Sequence, residues 1–74
     1  MKDLAYYVGL NYRIELYYDA EGDWIAKNPE LPGCMADGKT IEESLASLTT
    51  CRELWIETRL ATGHEVPEPQ LDRD

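Results

Sequence analysis

The sequence predicts a small α+β domain. An antiparallel three-stranded sheet, built from a hairpin over residues 11–27 and a short strand over 33–37, is covered by one long helix over 41–62. Three observations carry this. Residues 12–18 alternate with period two, so Tyr12, Ile14, Leu16 and Tyr18 share one face and Arg13, Glu15 and Tyr17 the other. Turn-forming residues crowd Asn28–Gly38. From Ile41 onward, apolar residues recur at helical spacing.

The first element is a short helical turn capped by Asp3, or a loose arm; Asp3-Leu-Ala-Tyr-Tyr-Val suits either. The strand over residues 11–18 is expected to bury its Tyr12/Ile14/Leu16/Tyr18 face. Asp19-Ala20-Glu21-Gly22 then reads as a loop with Gly22 available for positive φ, and Asp23–Lys27 returns as the second strand. Pro29 and Pro32 cannot donate to a ladder, so pairing stops there. Gly33 lets the chain reverse, Cys34 and Met35 pass beneath the helix as the third strand, and Gly38 turns the chain out. Thr40-Ile41-Glu42-Glu43 is a capping box, in which the Thr40 hydroxyl accepts from the Glu43 amide and the Glu43 carboxylate reaches back to the Thr40 amide. Ile41, Leu45, Leu48, Cys51 and Trp55 form one stripe, with Leu54 alongside, and Gly63 is the natural stop. Val66-Pro67-Glu68-Pro69 is an extended segment lying on the domain or on a partner. Residues 1–69 make the single domain and 70–74 a frayed tail.

At 74 residues the chain is one domain with a small core, for which self-association is the expected support. Its net charge of −8, from 15 acidic and 7 scattered basic residues, argues against nucleic-acid binding. An acidic surface suits solubility or a basic partner. The sequence shows no signal peptide and no apolar run of about 18 residues, so the expected compartment is the cytoplasm, without membrane contact.

Chemistry is sparse. Two cysteines and one histidine fall short of the roughly four ligands of a structural zinc site, so no metal and no cofactor is expected. Cys34 and Cys51 are read as reduced thiols packing as small apolar groups, with a disulfide between them left open. His64, just past the helix, reads as a surface or capping residue rather than a base. Asp19, Glu21 and Asp23 cluster at the hairpin loop, where a divalent cation is the alternative to solvated turn acids. Trp55 falls on the helix stripe and is expected in the core. Trp24 is a candidate interface residue, and the tyrosines, Tyr17 especially, suit a dimer contact.

Taken in order, Ile14–Tyr18, Glu21–Ala26, Pro29-Glu-Leu-Pro-Gly-Cys34, Asp37-Gly-Lys-Thr40, Glu42-Glu43 and Val66–Pro69 resemble the HicB family of antitoxins across nearly the whole chain. The resemblance implies a partial RNase H-like fold, homodimers or higher oligomers, no catalysis, and a small basic HicA-type ribonuclease as partner, neutralised when its active surface is covered. Many HicB proteins carry a C-terminal DNA-binding domain. No counterpart is seen here, so no direct DNA binding is expected. Pro29, Pro32, Gly33, Cys34, Gly38, Thr40 and Glu43 are read as structural, and Trp24, Glu30 and Asp37 as partner contacts. The alternative is a self-associating domain without a toxin partner.

Overall fold

The computed structural model describes residues 2–69, so the expected tail over 70–74 lies outside the described residues. The element order is α1 (Leu4–Val8), β1 (Glu15–Tyr18), β2 (Trp24–Lys27), β3 (Met35–Gly38) and α2 (Ile41–Ala61). The strands form one antiparallel sheet in the order β1-β2-β3, with Leu16 opposite Ala26 and Ala26 opposite Ala36. This is the expected architecture, except that β1 begins at Glu15 rather than at residue 11, well inside the alternation over 12–18.

The N-terminal segment is a helical turn, not a loose arm. Asp3 caps it, its carboxylate accepting from the Tyr6 amide at 3.0 Å. Tyr7 enters the core, and Tyr6 meets it edge-on with ring centroids 5.1 Å apart.

Helix α2 lies over β3 and β2. Because successive strand residues face opposite sides, Ala26 and Ala36 face the helix while Ile25, Met35 and Asp37 face away. Met35 therefore does not pass beneath the helix with Cys34: Cys34 is buried and Met35 is exposed. The helix barely reaches β1, all four residues of which are exposed. Only Tyr12 of the expected Tyr12/Ile14/Leu16/Tyr18 face is buried, because it precedes the strand and turns into the core.

The Pro-rich stretch reverses the chain as expected, and it also plugs the core. Asn28 N–H donates to the Cys34 carbonyl at 3.0 Å, Leu31 N–H to that of Asn28, and Cys34 N–H to that of Leu31. These nested turns drive Leu31, at 0% exposure, into the core beside Cys34, Leu48 and Ile56. Gly33, at φ +84°, closes the second turn in the left-handed region that side chains disfavour.

Gly38 serves a different purpose from the one expected. It does not sit at positive φ; a Cβ there would lie 2.6 Å from the Ser44 amide nitrogen and 2.7 Å from Glu43 Cβ. The glycine lets β3 touch the first turn of α2. That same contact redirects the capping box. Thr40 Oγ1 accepts from the Glu43 amide at 3.1 Å as expected, but the Glu43 side chain, rising against Gly38, accepts from the Lys39 amide at 2.8 Å instead of Thr40's.

At its other end α2 closes with a Schellman pair. Gly63 N–H donates to the Leu60 carbonyl and His64 N–H to that of Arg59. The segment beyond then lies on the domain. Val66 is buried, the Tyr12 hydroxyl donates to the Pro67 carbonyl at 2.7 Å, and Glu68 pairs with Lys2 at 2.8 Å.

Candidate functional site

Two surfaces stand out, one on each side of the molecule. The first is β1 with the open face of the sheet. β1 is an edge strand, paired only with β2. Leu16, Tyr17 and Tyr18 on it, and Ile14 just before it, are all large, apolar and exposed, Tyr18 by 60%. Tyr17, Ile25 and Met35 share the face turned away from α2, bordered by Glu15, Lys27 and Asp37. Lys27 and Glu15 form a cross-strand pair at 3.7 Å. An uncapped strand edge beside an apolar face can pair with, or pack against, another chain.

The residues expected at a partner surface do not gather into one place. Trp24 is half-buried on the helix-facing side, its ring 5.1 Å from that of its cross-strand neighbour Tyr18. Asp37 is exposed on the opposite face. Glu30, in the loop that follows the far end of β2, accepts from the Arg13 amide at 2.9 Å and so pins the approach to β1. Asp37 alone borders the open face. Sequence reasoning missed Asn28 altogether. It is 1% exposed, its Nδ2 donates to the Arg13 carbonyl at 2.8 Å, and its Oδ1 accepts from Arg52 Nη1 at 3.4 Å. The Asn-Pro dipeptide was the available signal for a turn built on that side chain.

The second surface is a groove of about 450 Å³ along α2, lined by Pro32, Cys51, Leu54, Trp55, Thr58, Arg59 and Pro67. Trp55 Nε1 donates to the Pro32 carbonyl at 2.9 Å, and the Arg59 guanidinium lies over the indole at 5.2 Å. Trp55 is thus a half-buried wall rather than core, and Leu54, expected beside the stripe, is 62% exposed.

Asp19, Glu21 and Asp23 do come together, with ligand atoms within 4.8 Å of one another. Asp19 Oδ1 is occupied by the Glu21 and Asp23 amides, at 3.0 and 2.9 Å. Asp23 is paired with Lys39 at 2.8 Å, and this hydrogen bond holds the lysine above its ordinary pKa. The charge of Asp23 is therefore already partly met from within the chain. His64 Nδ1 lies 2.7 Å from Thr62 Oγ1 on the exposed Schellman turn. Cys34 and Cys51 are free thiols with sulfurs 4.0 Å apart. Burial, with Cys51 beside it, pushes the Cys34 thiol up to about 12. Burial likewise lifts the Tyr12 phenol to about 12, so it stays a donor to Pro67.

Comparison with known proteins places this geometry among relatives. The family model described as UPF0150-like matches residues 12–67, from the tyrosine to the proline joined by that hydrogen bond. A UPF0150 protein of Synechocystis is 42% identical over 65 residues, covering 88% of this chain and 86% of its own. A second from the same strain is 36% identical over 61 residues, covering 82% and 77%. The crystal structure of TTHA0281 from Thermus thermophilus superposes with a TM-score of 0.72 at 25% identity, over 95% of this chain and 90% of that one.

Proposed function

The chain belongs to the UPF0150-like family, and from that premise we propose that it is a cytoplasmic, non-enzymatic binding module of the HicB antitoxin kind, which neutralises a small basic HicA-type ribonuclease by covering its active surface. The observation that carries this reading is β1: an edge strand whose apolar side chains stand in solvent, set in a chain of net charge −8. Apolar contact supplies affinity at such a surface, and the surrounding negative charge selects and steers a positively charged partner. Asp37 and Glu15 are both exposed at the border of the open face, and since Glu15 is paired with Lys27, Asp37 is the better placed to act across the interface.

The same edge favours a second reading, self-association through β1, because an unpaired strand can extend its ladder onto a copy of itself.

The test is capture at low salt, followed by assay of what is captured. A small basic protein that cleaves RNA, is silenced by stoichiometric addition of this chain and is released by raised salt would support the antitoxin reading. Asp37→Lys should weaken that complex by roughly tenfold, about 1.4 kcal/mol, read by titration calorimetry. A captured ribonuclease whose cleavage this chain does not suppress would overturn the reading. A dimer with no basic partner would favour the second.

A further inference from the structure

We infer that Cys34 and Cys51 form a peroxide-sensitive dithiol, a modification site at which a hydroperoxide converts the pair into an intramolecular disulfide. The inference does not depend on which partner the molecule takes. The sulfurs stand 4.0 Å apart, in direct contact. A disulfide needs about 2 Å, so closure takes side-chain rotation and an approach of the Pro-rich turn to α2. Cys34 lies in the core and half-buried Cys51 packs against it.

The two thiols differ in access, and the difference assigns their roles. Cys51 is half-buried and forms part of the wall of the α2 groove, beside Pro32 and Trp55. A molecule the size of hydrogen peroxide reaches it from solvent along that groove. Cys34 is 2% exposed and lies behind it. Cys51 is therefore the attacking sulfur and Cys34 the resolving one. Burial, which raises the Cys34 thiol to about 12, keeps it protonated and unreactive toward bulk oxidant.

The chemistry balances in two steps. The Cys51 thiolate attacks one peroxide oxygen, the O–O bond breaks, and the leaving hydroxide takes a proton; Cys51 becomes a sulfenic acid and one water is formed. The Cys34 sulfur then attacks the Cys51 sulfur, the S–O bond breaks, and the departing hydroxide leaves as a second water with the Cys34 proton. The peroxide gains two electrons and the two sulfurs lose them. A dithiol reductant reverses the change. The bond ties the 28–34 turn to the middle of α2, next to the Trp55–Pro32 hydrogen bond, and so fixes one wall of the groove.

The full chain is treated with hydrogen peroxide, alkylated while folded, digested and mapped by mass spectrometry. The expected result is loss of both titratable thiols and a crosslink between the peptides holding Cys34 and Cys51 within one molecule, reversed by dithiothreitol. In Cys34→Ala a sulfenic-acid probe should label Cys51; in Cys51→Ala the remaining Cys34 should stay unmodified. Cys51 driven to sulfinic acid while Cys34 remains reduced in the wild-type chain would overturn the proposal, as would crosslinks only between molecules, or two thiols left intact. Mapping the wild-type chain decides the matter even where a variant fails to fold.

Discussion

Gly38 and Asn28 are the residues on which the local geometry turns, and each acts through space rather than through conformational preference. A methyl at Gly38 would meet the backbone of Ser44 and Cβ of Glu43 well inside van der Waals contact. Gly38→Ala should therefore destabilise the fold by about 1–3 kcal/mol, the usual cost of overpacking, read as a lower urea midpoint with an unchanged slope. Asn28 holds the turn from inside, by bonding to the Arg13 carbonyl and to Arg52. Neither role was legible in the chain. A glycine after Asp37 reads as a turn, because sequence carries turn preference but not the distance to a helix a few residues on. The Thr40 cap was legible because its partners lie within one helical turn, although the neighbouring Gly38 contact moved Glu43 onto Lys39.

At the scale of elements, the long helix was readable to within a residue and so was the covered stripe from Leu45 through Leu48 and Cys51 to Trp55, while the margins of that face were not. The expected stripe begins at Ile41, but Ile41 is exposed and Ser44 and Ile56, which lay outside the stripe, are fully buried. The helix enters next to Gly38, which rotates the covered face toward small residues at its start. β1 shows the converse: its alternation predicts burial, yet alternation cannot tell whether one helix is wide enough to cover three strands. The C-terminal segment behaves as an element too, strapped to the N-terminal end through Lys2–Glu68 and to α1 through the Tyr6 hydroxyl to Glu68. The Lys2 hydrogen bond, with help from Tyr6, draws the Glu68 carboxyl below its ordinary 4.5. A carboxylate depressed on folding stabilises the strap above that ordinary value, and the contribution is lost as pH falls through the lowered one. Lys2→Ala should return the Glu68 midpoint toward 4.5, measured by NMR titration of its side-chain carboxyl carbon. An unmoved midpoint would mean that the ammonium does not hold this carboxylate.

At the scale of the whole molecule, two layers give a slab only 17 Å thick along its shortest axis. One helix cannot span the sheet, so uncovered β1 follows from the element count rather than from any feature of β1 itself. The architecture was legible because each junction carries strong turn or cap chemistry, and so was the exposure of Tyr17; the exposure of Ile14, Leu16 and Tyr18 was not, because it is settled by neighbours distant in sequence. Tyr17, exposed on the open face, gives a clean test. Tyr17→Lys should leave folding stability within about 0.5 kcal/mol while abolishing association through this face, followed by sedimentation velocity. Undiminished association would move the interface elsewhere.

The strap has a further consequence for how the chain reaches this state. Val66 fills the core, and the bonds that lock it join residues 12 to 67, 6 to 68 and 2 to 68, nearly the full length of the described chain. Contacts so far apart in sequence demand closure of the largest loop available, so they form after the hairpin and the helix have organised. On the ribosome, Tyr12 waits for its partner until the last turns of the domain have left the exit tunnel. The fold is complete only once its two ends have met.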